Sequence, residues 1–549
     1  MLDPLILAAA ARTNLGALDW AVLGAYLLLV VGTGVWFSRR KQSGTEDYFL
    51  AGRRMPVWAV AISIIATTTS AATFVGVPEQ AFTSNLTYLF SNVGMLLAVI
   101  VVATFFIPVF FRERVGTIYE LLETRFGRPA KFAASGAFLV GRVFASGARV
   151  YIAAIPLSLL IFGESGTAQP DWQLWAAIGV LTAVAVAYTL AGGVESVIWT
   201  EVFQTGVLLA SVVGALIVLW SRIPADSGQV IEALRHAGPN GTSKLILVDT
   251  SLDFSRPYTL TSCLVAFTLM GLASYGTDHD LVQRMLTCRN AVSGGRSVVV
   301  AIIASLPIVS LFMVIGLLLF VFYRRPDLMG AAAPKYAADD SRQVFLTFIM
   351  HEMPRGMSGL MIAGLCSVGI SSLASALNAM GAALIRDFYR HAVPNRSDRH
   401  YLRAGRLSVL GWGVVLGGFA CLCVVWHRES HKSLIDFALS VMTFAYAGLL
   451  AVFLTAIFTR RGNSASAIAA LAVGFVVIAL MQPQIWKWLY ESLSWTEYTP
   501  GAATVRHALP ERPVWLTLAY PWHLVIATGA ALIVCLLPRG RAGVDNPAP

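Results

Sequence analysis

Charge is what this chain has least of. Only 13% of its 549 residues are charged, against about 25% in soluble domains, while 57% are hydrophobic and mean hydropathy is +0.69. A water-soluble globular enzyme is excluded, and an integral membrane protein is implied. Other absences narrow the class. The six cysteines (Cys263, Cys288, Cys366, Cys421, Cys423, Cys535) are scattered, almost all in apolar runs, with no CxxC and no Cys/His spacing. Neither a metal cluster nor a disulfide framework is indicated. No GxxxxGK[ST] occurs, so ATP is not the energy source, and no hydrolase or redox motif is visible. The N-terminal MLDPLILAAAART has no basic start and reads as a tail rather than a cleaved signal.

What is present is a series of apolar runs bounded by charges. They lie near 18–37, 55–79, 86–111, 131–161, 172–190, 197–220, 258–283, 294–322, 345–385 (with a break near Pro354), 405–425, 433–458, 464–482 and 516–537. Basic residues concentrate in one set of alternate loops. They are Arg39–Lys41 and Arg53–Arg54, Arg112–Lys131, Arg284–Arg296, Arg386–Arg406, Arg460–Arg461 and Arg539–Arg541. By the positive-inside rule that side is cytoplasmic, which puts the N-terminus outside and the C-terminus inside a cell membrane. The formal charge of +10 is then a matter of topology and calls for no nucleic-acid partner. The outer segment 483–515, with Trp486, Trp488, Tyr490, Trp495 and Tyr498, reads as an interfacial aromatic belt.

Three features are too polar for simple membrane anchors. From Gly356 to Ile385 no residue is charged, yet Ser371, Ser372, Ser375 and Asn378 sit mid-span. At helical spacing Ser371, Ser375 and Asn378 share one stripe, with Ser372 beside it. Hydroxyl oxygens in a dry bundle can replace the water shell of a small hard cation, whereas the plainer reading is close packing or bonding back to the i−4 carbonyl. In 55–79, IIATTTSAATFVG puts five hydroxyl residues and Gly76 where aliphatics are expected. In 258–283, LMGLASYGTDHDLVQR carries Gly271, Gly276, Asp278 and Asp280. Discontinuous helices at corresponding positions in two halves predict an inverted-repeat transporter with a midplane site.

Four segments carry a family resemblance. EDYFLAGRRMPVWAVAISIIATTTSAATFVG, YTLAGGVESVIWTEVFQTG, YGTDHDLVQRML and GISSLASALNAM…RDFY are similar, in order and spacing, to segments of the sodium:solute symporters. The resemblance covers roughly residues 18–460. It implies an all-α membrane protein of about 13 transmembrane helices with a LeuT-like inverted repeat of two five-helix bundles, one leading and two trailing helices. The expected divisions are 1–53, 54–220, an outer loop 221–257, 258–458 and 459–549. It also implies a sodium site made by the carbonyls of Ala66, Thr69 and Val368 and the hydroxyls of Ser371 and Ser372. The matching family position of Glu201 is aspartate, and Ala374 stands where family members with a second sodium site have a serine. Glu201 and Ser375 are therefore candidate second-site or coupling residues, and one sodium is the preferred stoichiometry.

Arg142 and Arg149 lie seven residues apart on one face of span 131–161, and membrane arginines need partners. The sialic acid branch of the family holds a substrate carboxylate with an arginine of this helix, which favours Arg149, followed by Tyr151, as an anion contact. An internal salt bridge of Arg142 with Glu201 or Asp278 is the alternative. Positions matching the family's sugar contacts read Thr73 and Asn92, with Gly271, Ser274 and Tyr275 on the interrupted span. This set is too thin for a hexose and favours a small carboxylate-bearing solute. The expected activity is sodium-coupled symport by alternating access. A proton-coupled symporter, a channel and a transporter-like sensor are the rivals, and the expected partners are the solute, Na+ and the lipid bilayer, with no obligatory protein partner.

Overall fold

The computed structural model describes residues 16–38, 45–162, 171–237, 241–332, 334, 341–430, 434–482, 485–486, 495–497, 505–507 and 517–537. The N-terminal tail, Arg39–Lys41, Arg539, Arg541 and most of the aromatic segment 483–515 fall outside them.

The longer helices are numbered in chain order. They are α1 (Ala17–Ser38), α2 (Val57–Thr68), α3 (Ala71–Thr83), α4 (Thr87–Arg112), α5 (Arg128–Phe162), α6 (Asp171–Arg222), α7 (Ser227–Arg235) and α8 (Ser262–Thr277). There follow α9 (His279–Leu286), α10 (Ala291–Arg324), α11 (Val344–His351), α12 (Met357–Ala383), α13 (Asp398–Ser430), α14 (Leu434–Phe458), α15 (Ser464–Leu480) and α16 (Tyr520–Leu536). Among the described residues, six helices and two bent pairs are long and apolar enough to cross a membrane, and five shorter apolar helices accompany them. The runs at 172–190 and 197–220 are two helical segments, together labelled α6, that meet at a kink at Gly193, where φ is 67° and ψ −179°. A Cβ there would come within 2.9 Å of the Tyr48 ring and carbonyl, so the kink and the close approach both require glycine.

The break near Pro354 separates α11 from α12 as expected. In the apolar stretch 55–79, α2 stops at Thr68, Thr69 and Ser70 are extended (ψ 101° and 174°), and α3 leaves at 64°. Threonines whose hydroxyls bond back to the preceding turn weaken the helix at this point: Thr68 Oγ1 donates to Ile64 and Ile65 carbonyls at 2.9 and 3.1 Å. The second interruption falls at Asp278 (ψ 111°), whose carboxylate accepts the Asp280 amide at 3.1 Å and so caps α9. A third bend, of 49° between Phe444 and Tyr446 in α14, has no glycine or proline at it.

The serine-bearing α12 is buried on nearly every side, which explains why no charge interrupts it: it packs against α1, α2, α5, α6 and α13. By contrast α13 turns Leu407, Val414 and Leu422 outward at 65–71% exposure, the inverted surface of a lipid-facing helix. The chain is otherwise helical, as expected; a small antiparallel hairpin, β1 (Trp495–Glu497) with β2 (Val505–His507), lies inside the segment read as an aromatic belt.

Candidate functional site

The break between α2 and α3 faces α12. In an unbroken helix the Ser70 amide would bond the Ala66 carbonyl. Here it meets Thr73 Oγ1 at 3.4 Å, so Thr73 serves the first turn of α3. On α12, Ser371 Oγ donates to the Val368 carbonyl at 3.3 Å, while Ser372 Oγ is buried with no hydrogen-bond partner among the described residues. A buried hydroxyl without a partner costs folding energy unless something else satisfies it. Ala66, Thr69, Val368, Ser371 and Ser372 thus offer only oxygens on two packed helices, the donor type a sodium ion takes.

One turn further along the same two helices lies a buried network of charge. The Arg284 guanidinium reaches Glu201 Oε1 at 2.9 Å, Asp280 Oδ1 and the Asp280 carbonyl at 2.8 Å, Ser63 Oγ at 2.9 Å and Ser375 Oγ at 2.7 Å. Ser63 in turn donates to Glu201, and Ser375 to Asp280. Arg142 Nη1 meets Asp278 Oδ2 at 2.6 Å, and its other terminal nitrogen pairs with Asp280. Tyr446 adds a bond to Asp278 at 3.1 Å. All five ionisable side chains are at most 3% exposed. Two guanidiniums face three carboxylates, so the cluster carries a formal excess of one negative charge. The Arg149 guanidinium, which has Asp278 among its electrostatic neighbours, is a further positive charge beside the cluster.

Arg149 is treated differently. Its only bond among the described residues is from Nη2 to the Met442 thioether at 3.2 Å, and no carboxylate pairs with it there. Tyr275, Tyr446 and Asp278 are its electrostatic neighbours, and Ser274 Oγ lies 3.3 Å from Tyr446 Oη. The structure therefore gathers Arg149, Ser274 and Tyr275 near one another and sets Arg142 in the salt bridge with Asp278. Gly271 lies where α8 crosses α4: a Cβ there would sit 2.5 Å from Ala98 Cβ. Asn92 Nδ2 donates to its own helix at the Leu89 carbonyl, 3.1 Å away. Glu201 and Ser375 are brought together, through Arg284.

Arg284 corrects the sequence reading, which counted it with the cytoplasmic loops. It is 1% exposed on α9, which turns inward after the Asp278 break. The i, i+4 pairs Asp280/Arg284 and Ser63/Thr67 are the local signals that could have flagged it. Tyr446 and Met442 carry no such signal.

A bundle of apolar helices, two of them interrupted beside buried polar and charged side chains, is the architecture of a membrane transporter. The model of the sodium:solute symporter family matches residues 48–474, and the chain belongs to that family. It is similar to the sodium/sialic acid symporter NanT of Aliivibrio fischeri (28% identity, 85% of this chain, 88% of that one). It is also similar to the human sodium/iodide cotransporter (28% identity, 90% of this chain, 72% of that one). In fold it resembles a Na+-coupled sialic acid symporter in a substrate-bound outward-open state, with TM-score 0.75 and 23% identity over 95% of this chain and 97% of that one. A more distant neighbour is Mhp1, a nucleobase-cation-symport-1 family transporter, with TM-score 0.51 and 14% identity over 91% and 94% of the two chains. The chain is accordingly a multi-pass, LeuT-like, sodium-coupled symporter and not an enzyme.

Proposed function

We propose that the protein imports a small monocarboxylate together with one sodium ion. The observation that carries the substrate class is Arg149, a half-buried guanidinium with a thioether for its only hydrogen-bond partner among the described residues. A carboxylate would supply the bidentate partner it lacks, and the Tyr275, Ser274 and Met442 surroundings suit a short, partly apolar body. The sialic acid symporters among the relatives also carry a carboxylate-bearing solute by name, which supports the same reading.

Sodium is held by the carbonyls of Ala66, Thr69 and Val368 and the hydroxyls of Ser371 and Ser372. By joining α2 to α12 it favours the outward-open state that admits substrate. A single sodium is supported by Arg284, which engages both Glu201 and Ser375 and so supplies a resident cation where a second sodium would need ligands. The five-helix repeats span 54–220 and 258–458, flanked by 1–53, the outer loop 221–257 and the trailing 459–549, with the N-terminus outside a cell membrane. The solute, sodium and the lipid bilayer are the partners, without nucleic acid or an obligatory protein.

One sodium and one monoanion move no net charge, so a tenfold sodium gradient contributes about 1.4 kcal/mol and the membrane potential nothing. Proteoliposomes with a clamped potential test this. Sodium-driven uptake of a monocarboxylate should be indifferent to the imposed voltage. Stabilisation of the protein by neutral sugars alone, or uptake driven by a pH gradient without sodium, would defeat the reading.

A further inference from the structure

Lys244 lies in the outer loop between α7 and α8, yet it is 1% exposed. Its backbone amide donates to the Leu234 carbonyl at 2.9 Å, fastening the loop to α7. Its ammonium is inserted over the end of α3. Nζ donates to the carbonyls of Ala81, Phe82 and Ser84 at 3.3, 2.7 and 2.8 Å and stands 4.3 Å from the centre of the Phe320 ring on α10. The last carbonyls of a helix have no partners within it and carry the negative end of its dipole, so a cation there is both a cap and a counter-charge. Burying an unpaired ammonium is costly, and three charge-assisted bonds with a ring face are what offset it.

The helix so capped is the outer half of the interrupted pair, and its first turn holds Ser70 and Thr73 at the break. We infer that Lys244 is a positioning residue for transport: by gripping the outer end of α3 it fixes the angle of the break and so the geometry of the sodium and substrate contacts. The inference rests on the proposed site at that break. Lys244 itself touches neither ligand.

Among the described residues the charged groups around the ammonium are few. On α3, Glu79 faces the start of α14, where its Oε2 accepts the Leu434 amide at 3.2 Å. On α10, Arg324 lies 5.7 Å from the Phe82 ring. At the end of α10, Arg325 donates to the Ala233 carbonyl at 3.2 Å and pairs with Asp327. On α7, Glu232 and Arg235 pair with each other in solvent. Burial pushes the Lys244 amine down to about 8. Released into water it returns to about 10.4. The released state therefore binds the proton more tightly, and raising external pH from 7 toward 9 favours the docked loop.

The test is uptake in proteoliposomes by the full chain, with Lys244→Met and Lys244→Arg. The methionine variant is expected to raise the half-saturating sodium concentration and the substrate KM at least fivefold, with Lys244→Arg returning both to within twofold. Half-saturating sodium should fall between pH 7 and 9 in the wild type and stay level in Lys244→Arg, whose cation does not titrate. A methionine variant with wild-type constants and only a lower Vmax overturns the inference. Should that variant fail to fold, a Lys244→Arg pH profile identical to wild type overturns it instead. A wild-type protein without sodium activation would count against the proposed site and not against the loop contact.

Discussion

Two arginines seven residues apart on α5 have opposite surroundings. Arg142 is locked between Asp278 and Asp280, and through Asp280 it joins Arg284 and Glu201. Arg149, two turns further on, points at a methionine sulfur. The same side chain on the same helix face is in one place part of the framework and in the other an unanswered charge. Position on the helix does not distinguish them; the second chain segment that reaches each one does. Arg142 and Arg284 tie α2, α5, α6, α9 and α12 together, with Tyr446 of α14 on Asp278, while Arg149 stands outside that network.

The largest effect is expected from breaking the framework. Arg284→Ala leaves Glu201 and Asp280 without their shared cation, and removing one partner of a buried pair costs about 3–5 kcal/mol. Detergent-solubilised variant protein should melt markedly lower or fail to accumulate, and Arg142→Ala should behave similarly. A variant with normal melting temperature would show that the network is not structural.

Arg149→Gln should give the opposite split. Removing a guanidinium that no carboxylate pairs with directly among the described residues should leave thermal stability little changed. Substrate KM should rise about tenfold to a hundredfold, the equivalent of a lost charge-assisted contact. Uptake assays beside melting curves separate the two outcomes, and a parallel loss of stability would move Arg149 into the framework class.

The contrast also shows how far the amino-acid sequence could be read. Apolar run length and the four motifs located the helices and both breaks, because hydrophobic length and hydroxyl-rich interruptions are local properties. The partners of Arg142 were left open, since Asp278 lies 136 residues away and nothing local couples them. Arg284 was misplaced for a related reason: a basic residue just past an apolar run looks like a loop anchor, and only the turn at Asp278 sends it inward. The bend in α14 and the hairpin of β1 and β2 left no pattern of their own.

A smaller effect is expected at Ser372. Its hydroxyl has no partner, so Ser372→Ala should fold as well as wild type, replacing an unsatisfied polar group by an apolar one. If the hydroxyl is a sodium ligand, half-saturating sodium should rise about tenfold at constant melting temperature. Unchanged sodium activation would transfer the ion to other oxygens of the break. Ser372 thus extends the comparison from cations to hydroxyls: a hydroxyl already bonded, as on Ser63 and Ser375, belongs to the fold, whereas Ser372 Oγ has no hydrogen-bond partner among the described residues and is the proposed ligand.

The smallest effect follows from applying that rule to Asn92. Its amide is spent on the Leu89 carbonyl one turn back, beside the place where Gly271 brings α8 against α4. Asn92→Ala removes one intrahelical side-chain bond and improves helix propensity, so its cost should stay below about 1 kcal/mol. Substrate KM should change less than twofold, although the position matches a sugar contact elsewhere in the family. A large KM change with unaltered stability would mean that the amide turns toward the substrate during transport, and that a bonded side chain can also be a binding one.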